Sequence, residues 1–327
     1  MSRIIGRLGS VGIAVEAVRG TAVAPLFWVP VTGKDFDDKV DYIDNDSGMG
    51  NIAEKNDAIV NHKWGEGGYD GKIFDRSVGV ELVALFGQSP VSTQRASTGV
   101  YDHVFNLAQS NQHKSLSLSY KDANESLRWA MAMLNSWNLE GATDNYVRRT
   151  AQYISKKATT GVSQSVAYTE ENEFGPSDIS FVLGTKDSLS SLTGGSSIGA
   201  TGGSIEIAKN AEALYKLGTA EPDDIVNKQF AVTGTVDLYM DDTTYKALVL
   251  SGGMVSLRVK LLNTAIDLGS GHNPGLNIDL PRVKLGEFEG GFDNNDIRTQ
   301  TISFEGLFSL VEAKAITATL TNRTTSY

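Results

Sequence analysis

Apolar and polar residues alternate along residues 226–240, with a period of two. This period is typical of a β-strand that has one face in the core and one face in water. The apolar face carries Phe230, Val232, Val236, Leu238 and Met240. The polar face carries Asn227, Gln229, Thr233, Thr235 and Asp237. Gly234 interrupts the apolar face, so we expect a bulge or a close approach of another backbone there.

A short helix is predicted directly after this strand. Asp241, Asp242 or Thr243 can cap its start, and Gly252 or Gly253 can end it. Tyr245, Leu248 and Val249 follow the i, i+3, i+4 spacing of one helix face. A helix of two or three turns is marginal alone, so we expect its apolar side to pack on a sheet.

Several other segments show the strand pattern, while glycine-rich and polar stretches predict loops. The predicted strands are 115–120, 128–137, 147–154, 254–262, 275–280, 297–304 and 315–320. The predicted loops are 30–56, 87–100, 184–204 and 263–274. The stretch TGGSSIGATGG at 193–203 has the composition of a linker.

The chain contains an internal repeat. Residues 57–87 align with residues 223–253 without a gap, and nine positions are identical where chance would give roughly two. The alignment predicts a strand and a helix in the first copy, with Asp75 or Ser77 as cap and Gly87 as end, and it sets Trp64 over Phe230 as a core residue. We therefore expect two tandem β-rich units. The predicted divisions are a first unit at 1–155, connecting strands and a Gly/Ser-rich loop at 156–203, and a second unit at 204–327.

Composition narrows the range of functions. The 327 residues include 29 Lys+Arg and 39 Asp+Glu, a net charge of -10, which argues against a protein that grips nucleic acid by its phosphates. The absence of Cys excludes disulfide frameworks and thiolate chemistry. Residues 1–16 do not have the apolar core of an export signal, and no stretch has the length and apolarity of a membrane span.

The search for catalytic and ligand motifs finds none that fits. GEGGYDGK at 65–72 lacks the spacing of a phosphate loop, and DNDSGMGNIAEK at 44–55 lacks the spacing of a calcium loop. The four histidines (His62, His103, His113 and His272) are scattered, and no G-x-S-x-G segment occurs. We predict no catalytic residue, no cofactor and no metal site.

Four segments, taken in order, resemble the tail tube proteins of long-tailed bacteriophages, in particular the large members of about 300 residues. The segments are EAVRGTAVAPLFWVPV at 16–31, DDIVNKQFAVTGTVDLYMDDTTYKALV at 223–249, LNIDLPRVKL at 276–285 and QTISFEGLF at 300–308. The resemblance covers most of the chain.

The resemblance implies β-sandwich units with a flanking helix, whose inner strands join those of neighbouring chains in one ring-wide β-barrel. Stacked rings would form the tube that conducts the genome. Two units per chain imply trimeric, pseudo-sixfold rings, with a hexamer as the alternative. The implied neighbours are the tape measure protein and DNA in the lumen, without specific binding, and the tail terminator and distal tail proteins at the ends. The protein would belong to the virion and be assembled in the host cytoplasm.

Two surfaces of the chain then have expected roles. The polar residues of the 226–240 strand are predicted to face the lumen: Asn227, Gln229, Thr233, Thr235 and Asp237. The acidic residues of the 30–56 loop are predicted to lie between rings: Asp35, Asp37, Asp38, Asp41, Asp44 and Asp46. Three alternatives remain open: a tail terminator or baseplate ring, a carbohydrate-binding β-sandwich module, and a hydrolase with a spatially assembled carboxylate pair.

Overall fold

The computed structural model describes residues 5–241, 243–291 and 297–327, and the chain is mainly antiparallel β-structure. The elements up to residue 160 are β1 (Ser10–Val15), β2 (Phe27–Val29), β3 (Gly33–Lys34), β4 (Asp37–Asn45), β5 (Asp57–Lys72), α1 (Val78–Phe86), β6 (Val91–Gln94), β7 (Tyr101–Asn106), β8 (Leu116–Lys121), β9 (Ser126–Ala142), β10 (Arg148–Ser155) and β11 (Thr159–Thr160). A 3₁₀-helix at Gly6–Leu8 precedes them.

We call the chain up to residue 160 the first half and the rest the second half. The second half has two 3₁₀-helices, at Pro176–Asp178 and Ser190–Thr193, which lie before and after its first strand. Its other elements are β12 (Ile179–Thr185), β13 (Ser196–Ile198), β14 (Ala200–Ala208), β15 (Glu212–Leu214), β16 (Asp224–Val226), β17 (Ala231–Tyr239), α2 (Thr244–Leu250), β18 (Met254–Leu262), β19 (Gly275–Gly291), β20 (Thr299–Leu307) and β21 (Thr317–Asn322).

Eight strands form one continuous antiparallel run through both halves of the chain. Their order is β4–β5–β10–β9–β14–β17–β20–β19. Strand β9 of the first half joins β14 of the second, with Glu206 opposite Asn138. Within the described residues the run does not close on itself, since β4 lies at one end and residues 285–291 of β19 lie at the other.

The long strands β9 and β19 continue into further sheet beyond this run. The first part of β9 pairs with β8, which pairs with β1, which pairs with β2. In the same way the first part of β19 pairs with β18, then β12, then β13. On their other sides β9 pairs with β11, and β19 pairs with β21, which leads on to β7 and β6.

One apolar core spans both halves because the strands of the run, apart from the exposed β4, turn alternate side chains inward. Trp129 and Trp137 on β9 are almost completely buried, which confirms the prediction of a core-facing strand at 128–137. In β17 the buried positions are Val232, Val236 and Leu238, also as predicted. The two helices begin and end within the predicted limits, and Gly87 ends α1 in the left-handed conformation at φ 78°.

The first-copy strand, β5, shows only weak alternation of apolar and polar residues, and the structure explains why. The inward face of β5 is made largely of glycines, because Gly65 lies against Trp129 and Gly67 lies against the backbone of Phe36. Trp64 therefore lies on the outward face, half-buried, and donates from Nε1 to Oε2 of Glu66 at 2.8 Å. The prediction that Trp64 is a core residue is wrong.

Three boundaries also differ from the predictions. Residues 30–56 are not one loop, because β4 pairs along its whole length with β5. Residues 193–203 are not a linker: they include β13 and the start of β14, where Gly203 allows close contact with the Phe181 ring. The 226–240 strand is divided, since residues 227–230 lie between β16 and β17.

Candidate functional site: a polar sheet face and an exposed hairpin

The outward face of the eight-strand run is a continuous polar surface. Cross-strand neighbours on it are hydrogen-bonded: Thr301 Oγ1 donates to Asp237 Oδ1 at 2.6 Å, and Ser204 Oγ lies 3.1 Å from Thr235 Oγ1. Around β14, β17 and β20 this face forms a shallow depression of about 500 Å³. We call this surface the polar face; it includes Glu66, Asp70, Lys72, Asn138, Glu140, Arg148, Thr150, Gln152, Ser204, Glu206, Thr233, Thr235, Asp237, Lys284, Glu287, Glu289, Thr301, Ser303 and Glu305.

The polar face has an acidic balance. Its three cations lie beside carboxylates: Arg148 is 2.9 Å from Asp70, Lys284 is 3.7 Å from Glu305, and Lys72 is 2.8 Å from Glu173. The exposed carboxylates of Glu140, Glu206, Glu287 and Glu289 have no such partner among the described residues. The surface is hydrophilic but offers few free cations to an anionic polymer.

Three of the five residues predicted for a wet strand face lie together on the polar face: Thr233, Thr235 and Asp237. Gln229 is exposed in the segment before β17. Asn227 is only 9% exposed, and its side-chain amide donates to the Ser110 carbonyl at 3.2 Å. The prediction that Asn227 continues the polar face is wrong, because the chain leaves the strand geometry at residues 227–230 and turns this side chain inward.

A β-hairpin forms the second exposed feature. The outer parts of β4 and β5, with the connection between them, make up an arm at residues 40–60. Among the described residues, this part of each strand pairs only with the other strand. Large apolar side chains are exposed along it: Val40, Tyr42, Ile43, Met49, Ile52, Ile59 and Val60. Ile52 at the tip is fully exposed. A two-stranded hairpin with apolar residues in water is marginal alone and is typical of an interaction surface.

The six predicted acidic loop residues are distributed along the base and length of this arm. Asp37, Asp38, Asp41 and Asp44 lie on β4, while Asp35 precedes it and Asp46 follows it. Asp38 has a structural role, since its Oδ1 accepts from the Trp129 indole at 2.8 Å and from the Ala158 amide at 2.9 Å. Asp44 pairs with Lys55, and Asp41 accepts from Asn61 at 3.0 Å.

The core contains a charged cluster that the sequence analysis did not find. Glu81, in the middle of the apolar helix α1, lies 2.7 Å from Arg149 on β10, and both side chains are sealed from water. Glu81 also accepts from Trp137 Nε1 at 2.9 Å and from the Tyr69 hydroxyl at 3.1 Å. Burial by itself lowers the pKa of Arg149, but Glu81 and the other acidic groups nearby together outweigh burial and raise the pKa above its ordinary value. The only signal in the sequence was one acid among apolar residues.

This buried cluster has a structural role, because the side chains of both Glu81 and Arg149 are sealed from water. Burial also raises the pKa of Tyr69 well above its ordinary value, and the carboxylate of Glu81 adds to the effect. The described residues contain no group of three or more His, Asp or Glu arranged to hold a metal ion. Neither α-helix of the described residues is long and apolar enough to cross a bilayer.

Comparison with known families gives the class of protein to which this sheet belongs. A family model described as phage tail tube protein matches residues 6–306, which is nearly the whole chain. The chain belongs to this family, a structural family of phage virions and not a family of enzymes. No curated protein matches the sequence.

Proposed function

We propose that the protein is the repeating subunit of a phage tail tube, and that each chain carries two copies of one ring-forming unit. The observation that carries the proposal is a strand order that occurs twice. In the first half, β9 continues one way into β8, β1 and β2 and the other way into β10, β5 and β4. In the second half, β19 continues in the same way into β18, β12 and β13 and into β20, β17 and β14. The helices occupy equal places in the two orders, α1 after β5 and α2 after β17.

The strand registers support the duplication and refine its alignment. Gly67 lies opposite Tyr153, and Gly234 lies opposite Phe304, so Gly67 is the counterpart of Gly234. The ungapped alignment paired Gly68 with Gly234, which is one residue out of the register that the strand pairing gives. Strand β14 crosses the boundary predicted at 203/204. We therefore divide the units between β11 and β12, near residues 161–175.

Three chains per ring follow from two units per chain, if six units close the ring. Each chain contributes the eight strands of the run, so a trimer would have a barrel of about 24 strands. Barrels of 16–18 strands already enclose an aqueous channel, so a larger one leaves a wider passage. A ring of six chains remains the alternative stoichiometry.

The polar face is our candidate for the channel wall. Glu140, Glu206 and Glu289 have no cation beside them among the described residues, so DNA would be weakly repelled and could slide past. Fluorescence anisotropy with a labelled DNA duplex should detect no binding at about 0.15 M salt. A Glu140→Lys/Glu206→Lys variant should acquire salt-sensitive binding. Tight, salt-sensitive binding by the unmodified protein would contradict this account of the wall.

The hairpin arm is our candidate for the contact between rings. Head-to-tail stacking repeats one contact indefinitely, which produces a filament. Replacing the apolar tip, Met49→Ser/Ile52→Ser, should leave rings intact and prevent their stacking. The matched control Asp46→Ser/Glu54→Ser changes polar residues of the same exposed segment and should still form tubes. Tubes of normal length from the apolar-tip variant would exclude the arm from stacking.

Electron microscopy of the purified protein tests the function as a whole. Long hollow tubes with a repeating ring are the expected result. Single rings that never stack would favour a tail terminator or baseplate component, which would replace the proposed tube role. Discrete monomers would favour a carbohydrate-binding module and would contradict the proposal.

A further inference from the structure

Within the described residues, the two ends of the eight-strand run carry unpaired backbone edges. Strand β4 pairs with β5 on one side only. Residues 285–291 of β19 pair with β20 on one side, while β18 on the other side reaches only to Lys284. A free edge presents a row of unpaired N–H and C=O groups, which is a template for pairing with another chain.

Within one chain, β9 pairs with β14 in the way that the two free edges would pair between chains. The second part of β9 lies between β10 and β14, and this is where the first half meets the second. Strand β19 has the place of β9 in the second half, and both are 17 residues long. Strand β4 has the place of β14 in the first half, and both are nine residues long.

We propose that β19 of one copy pairs antiparallel with β4 of the next copy, in the register in which β9 pairs with β14. This inference rests on the proposed ring-forming function and specifies the contact between neighbouring chains, which we call the seam: β19 of one copy and β4 of the next. The occupant of each free edge is thus a second copy of the same chain, since the chain already joins equivalent strands in this way.

The registers on either side of the seam fix which residues meet. Leu134 lies opposite Tyr153, and Leu285 lies opposite Phe304, so these two leucines correspond. Trp137 and Phe288 each follow the corresponding leucine by three residues and lie opposite Ala151 and Ile302, so they correspond as well. On the other edge, Glu206 corresponds to Asp37. Glu206 lies opposite Thr233, which directly precedes Gly234. Asp37 lies opposite Glu66, which directly precedes the corresponding Gly67.

Transferring the internal register gives the contacts across the seam. Ala208 lies opposite Ser136 within the chain, so Lys39 would lie opposite Glu287 of the next copy. Glu206 lies opposite Asn138, so Asp37 would lie opposite Glu289. Directly opposed opposite charges stabilise a strand pair and like charges destabilise it. Lys39, opposite Glu287 and diagonal to Glu289, therefore offsets the repulsion between Asp37 and Glu289.

Cysteine cross-linking tests this register directly, because the chain has no Cys. Lys39→Cys/Glu287→Cys replaces two exposed side chains, and oxidation or a short bis-maleimide should link neighbouring copies. A denaturing gel without reductant should show a ladder that ends at three chains. The matched control Ser136→Cys/Ala208→Cys spans the internal junction and should cross-link within a single chain.

The outcomes separate the register from the function. Rings seen by microscopy without the Lys39→Cys/Glu287→Cys cross-link, while the internal control reacts, would overturn the proposed register and leave the ring-forming function intact. Cross-linking of an Asp44→Cys/Glu289→Cys variant instead would have the same consequence, because those residues are seven positions out of register. An unmodified protein that forms neither rings nor tubes would overturn the proposed function, and the seam with it.

Discussion

The two helices have similar sequence patterns and very different surroundings. All nine residues of α1 are buried, whereas none of the residues of α2 is buried and Leu250 is 76% exposed. The first half has extra elements over its helix: the Ala108 amide, just after β7, donates to the Phe86 carbonyl at 2.8 Å, and the C-terminal Tyr327 ring lies against Gly79. An apolar stripe therefore predicts a packed face, while inserted segments determine whether the opposite face is also covered.

Because α1 is completely buried, its charged side chain and one of its last carbonyls are paired with charged side chains from other parts of the chain. Around α1, Glu81 pairs with Arg149, and Lys209 donates from Nζ to the Ala84 carbonyl at 2.6 Å, near the C-terminal end of the helix. A cation in this position is favoured by the helix dipole. Burial lowers the pKa of Lys209 to about 7. The place of Arg149 is taken in the second half by Gln300, which is uncharged.

The largest expected difference comes from removing the buried cation. Arg149→Met leaves the carboxylate of Glu81 buried without its partner, so we expect a loss of about 3–5 kcal/mol in the free energy of unfolding. Gln300→Met, its counterpart, removes no charge and should change stability by less than about 1 kcal/mol. Urea denaturation of the unassembled variants measures both. Equal effects would mean that the charge of Arg149 is not what stabilises the first half.

A smaller difference is expected for the matched leucines of the two helices. Leu82 is completely buried, so Leu82→Ala should cost about 3 kcal/mol through lost burial and a cavity. Leu248 is half-buried, and Leu248→Ala should cost about half as much. Thermal and urea unfolding provide the measurement. A larger loss at Leu248 would show that α2 is covered in the unassembled protein.

The smallest expected effect concerns pH. Burial lowers the pKa of His113, which lies against Gly87 at the end of α1, to about 4, and the nearby charge of Lys209 adds to this. The folded protein therefore binds the proton less well than the unfolded chain, and stability is lost as the pH falls from 6.5 to 4. We expect the loss to be roughly 2 kcal/mol, less than the full shift implies, because a cleft beside the ring admits water.

His113→Gln should remove this part of the pH dependence, whereas His272→Gln, at a half-exposed site, should leave it unchanged. The comparison of each variant with the unmodified protein at each pH isolates the histidine from other titrating groups. A His113→Gln curve parallel to that of the unmodified protein would contradict the assignment.

Local patterns were sufficient for elements whose signals lie within a few residues. Strands β8, β10, β17 and β18 have clear alternation, and both helices have glycines after their last turn. Strand β4 was missed because almost all of its residues are exposed, so it has no inward face to give a pattern. Strand β14 was missed because its first residues have the composition of a linker, although one of its glycines, Gly203, is required by the close packing of Phe181.

The polar face was predicted in part for the same reason. Thr233, Thr235 and Asp237 belong to one regular strand, so their common face follows from alternation alone. Glu140, Glu206 and Glu305 come from three distant segments, and only strand pairing brings them beside those residues. The hairpin arm and the free edges depend on pairing in the same way.

The sequence by itself determined the periodic strands, the two helices, the acidic balance and the resemblance to tail tube proteins, because each is carried by neighbouring residues or by composition. The tertiary structure decided the order of the strands, the burial of α1 with its internal ion pair, and the two strand edges that stay unpaired in the described part of the chain. Hydrogen bonds between strands join residues far apart in the chain, so no local pattern specifies which strands pair.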